Sequence, residues 1–193
     1  MVKPNVSELF AMTKLMLEKE VIRTTTVANI VSAYYNQPGD TKKWTYSDVR
    51  GLACSLLTAM NTIPGRGVHV IAPSTKPYVT GKHVIVSMGD MGVLWVGPSN
   101  VLGSVADTEV DDYISYKHIP AESIPCSEIV NTSGAGDSFC AGFINSVLLN
   151  GGERATTGVG GPTVDDIIAG VRYAGRAIRS SSTVPVNVSH TST

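Results

Sequence analysis

The chain has 193 residues, of which 42% are hydrophobic and 16% charged, and a formal net charge of -1. This composition gives a globular chain enough apolar material for one core and excludes a disordered one. Balanced charge without a single-sign run excludes bulk electrostatic binding to a nucleic-acid polymer, and no apolar stretch reaches the roughly 20 residues that span a bilayer.

The opening MVKPNVSELF has no apolar core of a secretory signal. Cys54, Cys126 and Cys140 are odd in number and far apart, which predicts free thiols in a reducing compartment. We therefore expect a cytoplasmic protein, with organellar import left open. The histidines at 69, 83, 118 and 190 have no metal-ligand spacing.

Residues 7–20 are predicted as a helix, with Ser7 as cap and Leu9, Met12, Leu15 and Met16 at helical spacing. The stretch 23–43 is ambiguous: its first part could extend a helix, and Asn36-Gln37-Pro38-Gly39 is turn chemistry. A second helix is predicted over 47–61, capped by Ser47 or Asp48, with an apolar stripe of Val49, Leu52, Ala53, Leu56 and Met60. Residues 63–82 are rich in proline and loop-like around a short strand at 68–72. Runs at 83–88 and 92–96 flank Gly89 and Asp90, which predicts a hairpin. Further strands are expected at 113–118 and 126–130. A buried helix is expected at 136–149, ended by Gly151 and Gly152, with Phe139, Cys140, Phe143, Ile144 and Val147 inward. A last helix is expected at about 164–179, with Ile167, Ile168, Val171, Ala174 and Ile178 on one face and Arg176 and Arg179 at its C-terminal end. Strands alternating with helices give an α/β class in one domain over 1–193, with a loose tail at 187–193.

Between the strand expected at 126–130 and the helix at 136–149 stands Asn131-Thr132-Ser133-Gly134-Ala135-Gly136-Asp137. Glycines at 134 and 136 permit unusual dihedrals and close backbone approach. Amides gathered at a helix N-terminus make an anion site, and an acidic residue in the first turn suits the dipole. A tight turn with a charged first helical turn is the plain reading. The chemical one sets the amides of Ala135, Gly136 and Asp137 around the terminal phosphate and the Asp137 side chain as base for the attacking hydroxyl, which is what phosphoryl transfer requires. No GxxxxGK[ST] run occurs, so a P-loop is disfavoured.

The run NTSGAGDSFCAGF closely resembles the C-terminal signature of the PfkB/ribokinase kinases. The resemblance implies a catalytic base at Asp137 and an anion hole at Gly134, Ala135 and Gly136. Asn131 stands where the family more often has aspartate, so the monovalent-cation site that this position bears on is not carried over. Asn5 and Glu8 resemble the family's N-x-x-E segment, which implies a role in holding Mg²⁺, through water; a capped helix start is the plain alternative. Ser87, Gly89 and Gly92 resemble its T-x-G-x-x-G hairpin. Together with Thr132 they are expected to lie along the nucleotide, whereas in isolation they describe an ordinary turn. The opening PNVSEL and the closing run before Pro185 are similar to pseudouridine-kinase-like members.

The resemblance implies a Rossmann-like three-layer α/β/α sandwich of the ribokinase type, of which this chain lacks the N-terminal half and the lid. It implies an ATP- and Mg²⁺-dependent phosphotransferase acting on a hydroxyl of a sugar or nucleoside, with pseudouridine the first guess. The alternative is a truncated, catalytically silent remnant that binds nucleotide or a partner. No membrane or nucleic-acid polymer is expected as partner; a homo-oligomer or a complementing chain is. Trp44, Trp95 and the histidines are expected in packing or surface roles, Cys140 as a buried small hydrophobe, and Lys42, Lys43 and Arg50 as solvated.

Overall fold

Asn5 begins the first helix by exchanging hydrogen bonds with Glu8. The Asn5 side-chain oxygen accepts from the Glu8 amide at 2.9 Å, and the Glu8 carboxylate accepts from the Asn5 amide at 2.8 Å. This reciprocal cap satisfies two otherwise orphaned donors and opens α1 (Val6–Glu18), which buries Val6, Leu9, Phe10 and Thr13 on one face. The Thr13 hydroxyl donates to the Leu9 carbonyl at 2.7 Å, so its burial leaves no polar atom unpaired. The computed structural model describes residues 1–38, 43–61, 82–98, 109–111, 114–157 and 162–181. They fall into two compact units: Met1–Met88 with Leu94–His118, and Gly89–Val93 with Ile119–Thr193.

In the first unit the ambiguous stretch after residue 23 contains α2 (Thr25–Tyr35). It buries Val27, Val31 and Tyr34, and Tyr34 stacks on Phe10 of α1 with ring centroids 3.8 Å apart. Helix α3 (Tyr46–Asn61) starts one residue earlier than expected. Its cap is Thr45, which exchanges bonds with Asp48 at 2.8 and 3.2 Å; Asp48 is thus the cap's partner and not the cap. Val49, Leu52, Ala53, Leu56 and Leu57 lie fully buried beneath it.

The sheet has strands β1 (Val84–Ser87), β2 (Val93–Pro98), β3 (Glu109–Asp111) and β4 (Ile114–Ile119), in the order β1-β2-β4-β3. The expected pair at 83–88 and 92–96 is therefore present, joined by a 3₁₀ turn over Gly89–Met91. A link this short admits only antiparallel strands. Strands β3 and β4 are antiparallel, with Val110 opposite Ser115. Residues 2–5 extend the sheet beyond β1: Val2 and Asn5 bridge Val84 and Ser87 in parallel. The Val2 amide donates to the His83 carbonyl at 3.0 Å, and the Ser87 amide donates to the Pro4 carbonyl at 3.1 Å. Pro4 lacks a donor and suits this outer position. Helices α1–α3 form the crossover that a parallel pair needs.

The second unit is built on α4 (Ala135–Thr157) and α5 (Val164–Ile178). Two glycines set their approach. A Cβ on Gly142 would lie 2.6 Å from the Tyr173 ring, and one on Gly170 would lie 2.8 Å from the Phe139 ring. Asp166 is fully buried yet satisfied: it accepts from the Thr163 amide at 2.8 Å and from the Ser146 hydroxyl at 2.6 Å. That carboxylate caps α5 and ties it to α4.

Several expectations are corrected. Residues 126–130 form no strand. A 3₁₀ turn occupies Cys126–Glu128, and the amides of Val130 and Asn131 donate to the Ile178 carbonyl at 3.0 and 3.1 Å rather than to a neighbouring strand. Gly151 and Gly152 do not end α4, which runs through them to Thr157. Glycine costs a helix only about 1 kcal/mol, and a glycine stop needs a left-handed backbone. Among the described residues only Gly89, Gly92 and Gly134 are left-handed glycines. On α4, Phe139 and Phe143 are buried, but Ile144 is exposed and Cys140 only half-buried. On α5 the buried positions include Ile167, Gly170 and Ala177, because the face is fixed by the glycine approach and not by the largest side chains. Arg50 is not solvated: it donates to the Tyr116 hydroxyl at 2.8 Å and lies over that ring. Trp95 is fully buried, as a packing role requires. The strand expected at 68–72, the loop around it, Lys42 and the tail at 187–193 lie outside the described residues.

Candidate active site

The turn before α4 is built by three local devices. The Asn131 side-chain oxygen accepts from the Ser133 amide at 2.9 Å, which folds the backbone into an Asx turn. Gly134 follows with φ of 78°, in the left-handed region that side chains resist. The Gly134 carbonyl then accepts from the Ser138 amide at 2.8 Å, the first α-helical bond of α4. The amides of Ala135, Gly136 and Asp137 thus belong to the first turn, ahead of the i to i−4 ladder, where a helix presents donors and its positive dipole end. The Ala135 amide makes a long bond of 3.5 Å to the Thr132 carbonyl. Gly136 lies inside the helix with an ordinary backbone, so only the glycine at 134 is required by its dihedral.

Asp137 is the third residue of α4 and is exposed. Among the described residues its carboxylate has no hydrogen-bond or ion-pair partner. Ser138, Phe139 and Phe143, all buried, anchor the helix directly behind it. The carboxylate is therefore carried on an anchored stretch of backbone and is exposed.

Gly89 and Gly92 are also left-handed, with φ of 65° and 92°. They differ in surroundings. A Cβ on Gly89 would meet open space, whereas one on Gly92 would lie 2.3 Å from the Ile119 carbonyl oxygen and 2.4 Å from the Ala121 nitrogen. Gly92 is thus where the turn is pressed against the backbone of 119–121.

In the first unit, Asn5, Glu8 and Ser87 come together. The parallel bridge sets Asn5 beside Ser87, and the cap sets Glu8 beside Asn5. They stand at the carboxyl end of β1, where the segment 2–5 bridged to it in parallel enters α1, the kind of place where open α/β sheets bind ligands. One Glu8 oxygen is used by the Asn5 amide; the residue is exposed. Among the described residues no group of three or more His, Cys, Asp or Glu side chains could hold a metal directly. A hydrated Mg²⁺ next to one carboxylate fits this donor set; a dehydrated all-protein site does not.

Sequence reasoning passes over two further groups. Arg179, read there only as complementing the helix dipole, binds Glu128 at 2.8 Å and Glu122 at 3.0 Å. His83 is buried and bonded to Trp95, whose indole Nε1 donates to His83 Nδ1 at 3.2 Å. Neither pairing has a local signal in the sequence. Among the described residues no helix is long and apolar enough to cross a membrane.

No curated protein matches the chain. Among solved structures it is similar to adenosine kinase from Schistosoma mansoni in complex with 2-fluoroadenosine, at 20% identity and a TM-score of 0.42. That similarity covers 72% of this chain and 30% of the kinase, so the chain spans less than a third of that protein's length. Residues 67–188, more than half of the sequence, match the pfkB family carbohydrate kinases; the match includes the turn at 131–137 and leaves out Asn5 and Glu8. The chain belongs to the pfkB carbohydrate kinase family.

Proposed function

We propose that this chain carries the catalytic turn of an ATP-dependent phosphotransferase acting on a hydroxyl of a sugar or nucleoside, in a three-layer fold of the ribokinase type. The observation that carries the reading is Asp137: an exposed carboxylate in the first turn of α4 with no partner among the described residues, three positions after Gly134, whose left-handed backbone leads the chain into that helix.

In this reading the acceptor hydroxyl attacks the terminal phosphorus of ATP, and its proton passes to the Asp137 carboxylate. The backbone at 134–137 receives the transferring phosphoryl group. Amides and dipole at a helix start stabilise its equatorial oxygens without reorganising, which is the larger part of catalysis in such reactions. ADP leaves with the electrons of the broken bond. Ser87, Gly89, Gly92 and Thr132 would serve the nucleotide. Asn5 and Glu8 would hold hydrated Mg²⁺, which when bound neutralises phosphate charge. Asn131 contributes a neutral amide whose oxygen already serves Ser133, so no monovalent cation is assigned to it. Pseudouridine is the first acceptor to try, on the similarity of PNVSEL and the closing segment to pseudouridine-kinase-like members.

The test is ATP consumption and phosphorylated product over a panel of nucleosides and sugars, wild type against Asp137→Ala and Asp137→Asn. Loss of a positioned base predicts a fall of about 10²–10⁴ in kcat in both variants, with Mg-ATP affinity retained. Product formed equally by wild type and variants removes Asp137 from the chemistry. Mg-ATP binding without turnover by the wild type identifies a silent nucleotide-binding chain.

A further inference from the structure

The segment 122–131 leads into the glycine turn, and its fastenings converge on the C-terminal end of α5. Arg179 is the residue that ends that helix. It donates from Nε to Glu128 at 2.8 Å and from Nη1 to Glu122 at 3.0 Å. One residue earlier, the Ile178 carbonyl accepts the amides of both Val130 and Asn131. The Glu122 carboxylate occupies the space over Gly175, where an added Cβ would lie 2.3 Å from Glu122 Oε2. Asn131, the last residue so held, is also the first of the Asx turn that delivers Gly134.

We propose that Arg179 is a positioning residue for the anion turn: by holding Glu122 and Glu128 on one guanidinium, it fixes 122–131 against α5 and so sets where the turn at 132–137 begins. The inference rests on the phosphotransfer reading of that turn. A single exposed ion pair contributes little. This one uses two edges of the guanidinium fork on two carboxylates, beside two main-chain bonds, and such a fork gives direction as well as attraction. The Arg179 side chain is 32% exposed, which fits a role in geometry rather than in the core. Gly175 is the second half of the device, because any side chain there evicts Glu122.

The test is hydrogen exchange read by mass spectrometry on the full chain, with Mg-ATP affinity and thermal midpoint measured on the same samples, for Arg179→Gln, Arg179→Lys and Gly175→Ala. Arg179→Gln should speed exchange over 122–134 and leave the α1 peptides unchanged. It should weaken Mg-ATP binding about tenfold through misplacement of the turn, with the thermal midpoint held. Arg179→Lys keeps the charge without the fork and should fall between. Gly175→Ala improves intrinsic helix propensity, yet here it should loosen the same segment. Unchanged exchange over 122–134 in Arg179→Gln overturns the inference. So does loosening of the whole chain with a lowered thermal midpoint, since Arg179 is then merely structural. Failure of the underlying reading looks different: a wild type that binds no Mg-ATP overturns the function of the turn, and with it the purpose of the clamp, whatever the exchange pattern.

Discussion

His83 should make the first unit acid-sensitive, and the size of the effect follows from its surroundings. The imidazole is 2% exposed. Its Nδ1 accepts from the Trp95 indole, so the neutral ring carries its proton on Nε2, a buried atom with no hydrogen-bond partner among the described residues. A second proton would place a charge in that environment. Burial, and then the N-terminal ammonium, push the His83 pKa from 6.5 down to about 4. The folded protein therefore refuses a proton that the unfolded chain accepts. Stability from the neutral ring is fully present above about pH 6.5 and is lost as pH falls towards 4. A depression from 6.5 to about 4 corresponds to about 3 kcal/mol as a ceiling. The steepest loss is about 1.4 kcal/mol per pH unit. The perturbation is His83→Gln, whose side-chain oxygen can accept from Trp95 and whose amide does not titrate. Urea denaturation followed by tryptophan fluorescence, at several pH values between 7.5 and 4.5, gives the slopes. Wild type should lose stability faster than His83→Gln below pH 6.5, and parallel loss in the two proteins would refute the reasoning.

The two turn glycines separate space from dihedral. Gly89→Ala pays only for a left-handed backbone, about 1 kcal/mol in urea denaturation, because its Cβ meets open space. Gly92→Ala adds a clash with the backbone of 119–121 and should cost about 2–5 kcal/mol. Equal losses at the two sites would show that the turn is not pressed against that segment. Gly134→Ala should cost about 1–2 kcal/mol in stability for its φ of 78°. It should also lower kcat/KM about ten- to a hundredfold by displacing the turn; unchanged kinetics would show that the turn's backbone does not hold the phosphoryl group.

How much of this was legible in the sequence depends on how far apart the interacting residues lie. Helix α1 and the start of α4 are written in single turns: Asn5 with Glu8, Asn131 with Ser133, and a glycine at 134 where the backbone is left-handed. Helix α2 is left open by the sequence, as a possible extension of the first helix, although Val27, Val31 and Tyr34 have helical spacing. Its Thr24 cap makes no side-chain bond, and its threonines and valines suit a strand as well as a helix. The parallel pairing of residues 2–5 with β1 was illegible because nothing local announces a partner some eighty residues on, and Pro4 argues against a strand.

The same distinction explains why 126–130 misled. Ile129 and Val130 carry strand-forming side chains, yet both are exposed, and the amides of Val130 and Asn131 go to the end of α5. A pattern read by side-chain type assumes that apolar residues seek the interior. Here main-chain donors decide, and their acceptor lies 48 positions along the chain from Val130. The proposed catalytic turn is legible because an anion hole with its base needs consecutive amides and a carboxylate within one helical turn, so such chemistry compresses into a short run of letters. What orients that turn has no such constraint. Glu122 and Glu128 could be read only as surface charge, and Arg179 only as a cation at a helix end, until the fold brought them together, with separations of 57 and 51 residues. A short signature can thus persist with its letters intact while its placement depends on residues outside it, and substitution at 175 or 179 is the way to separate the two.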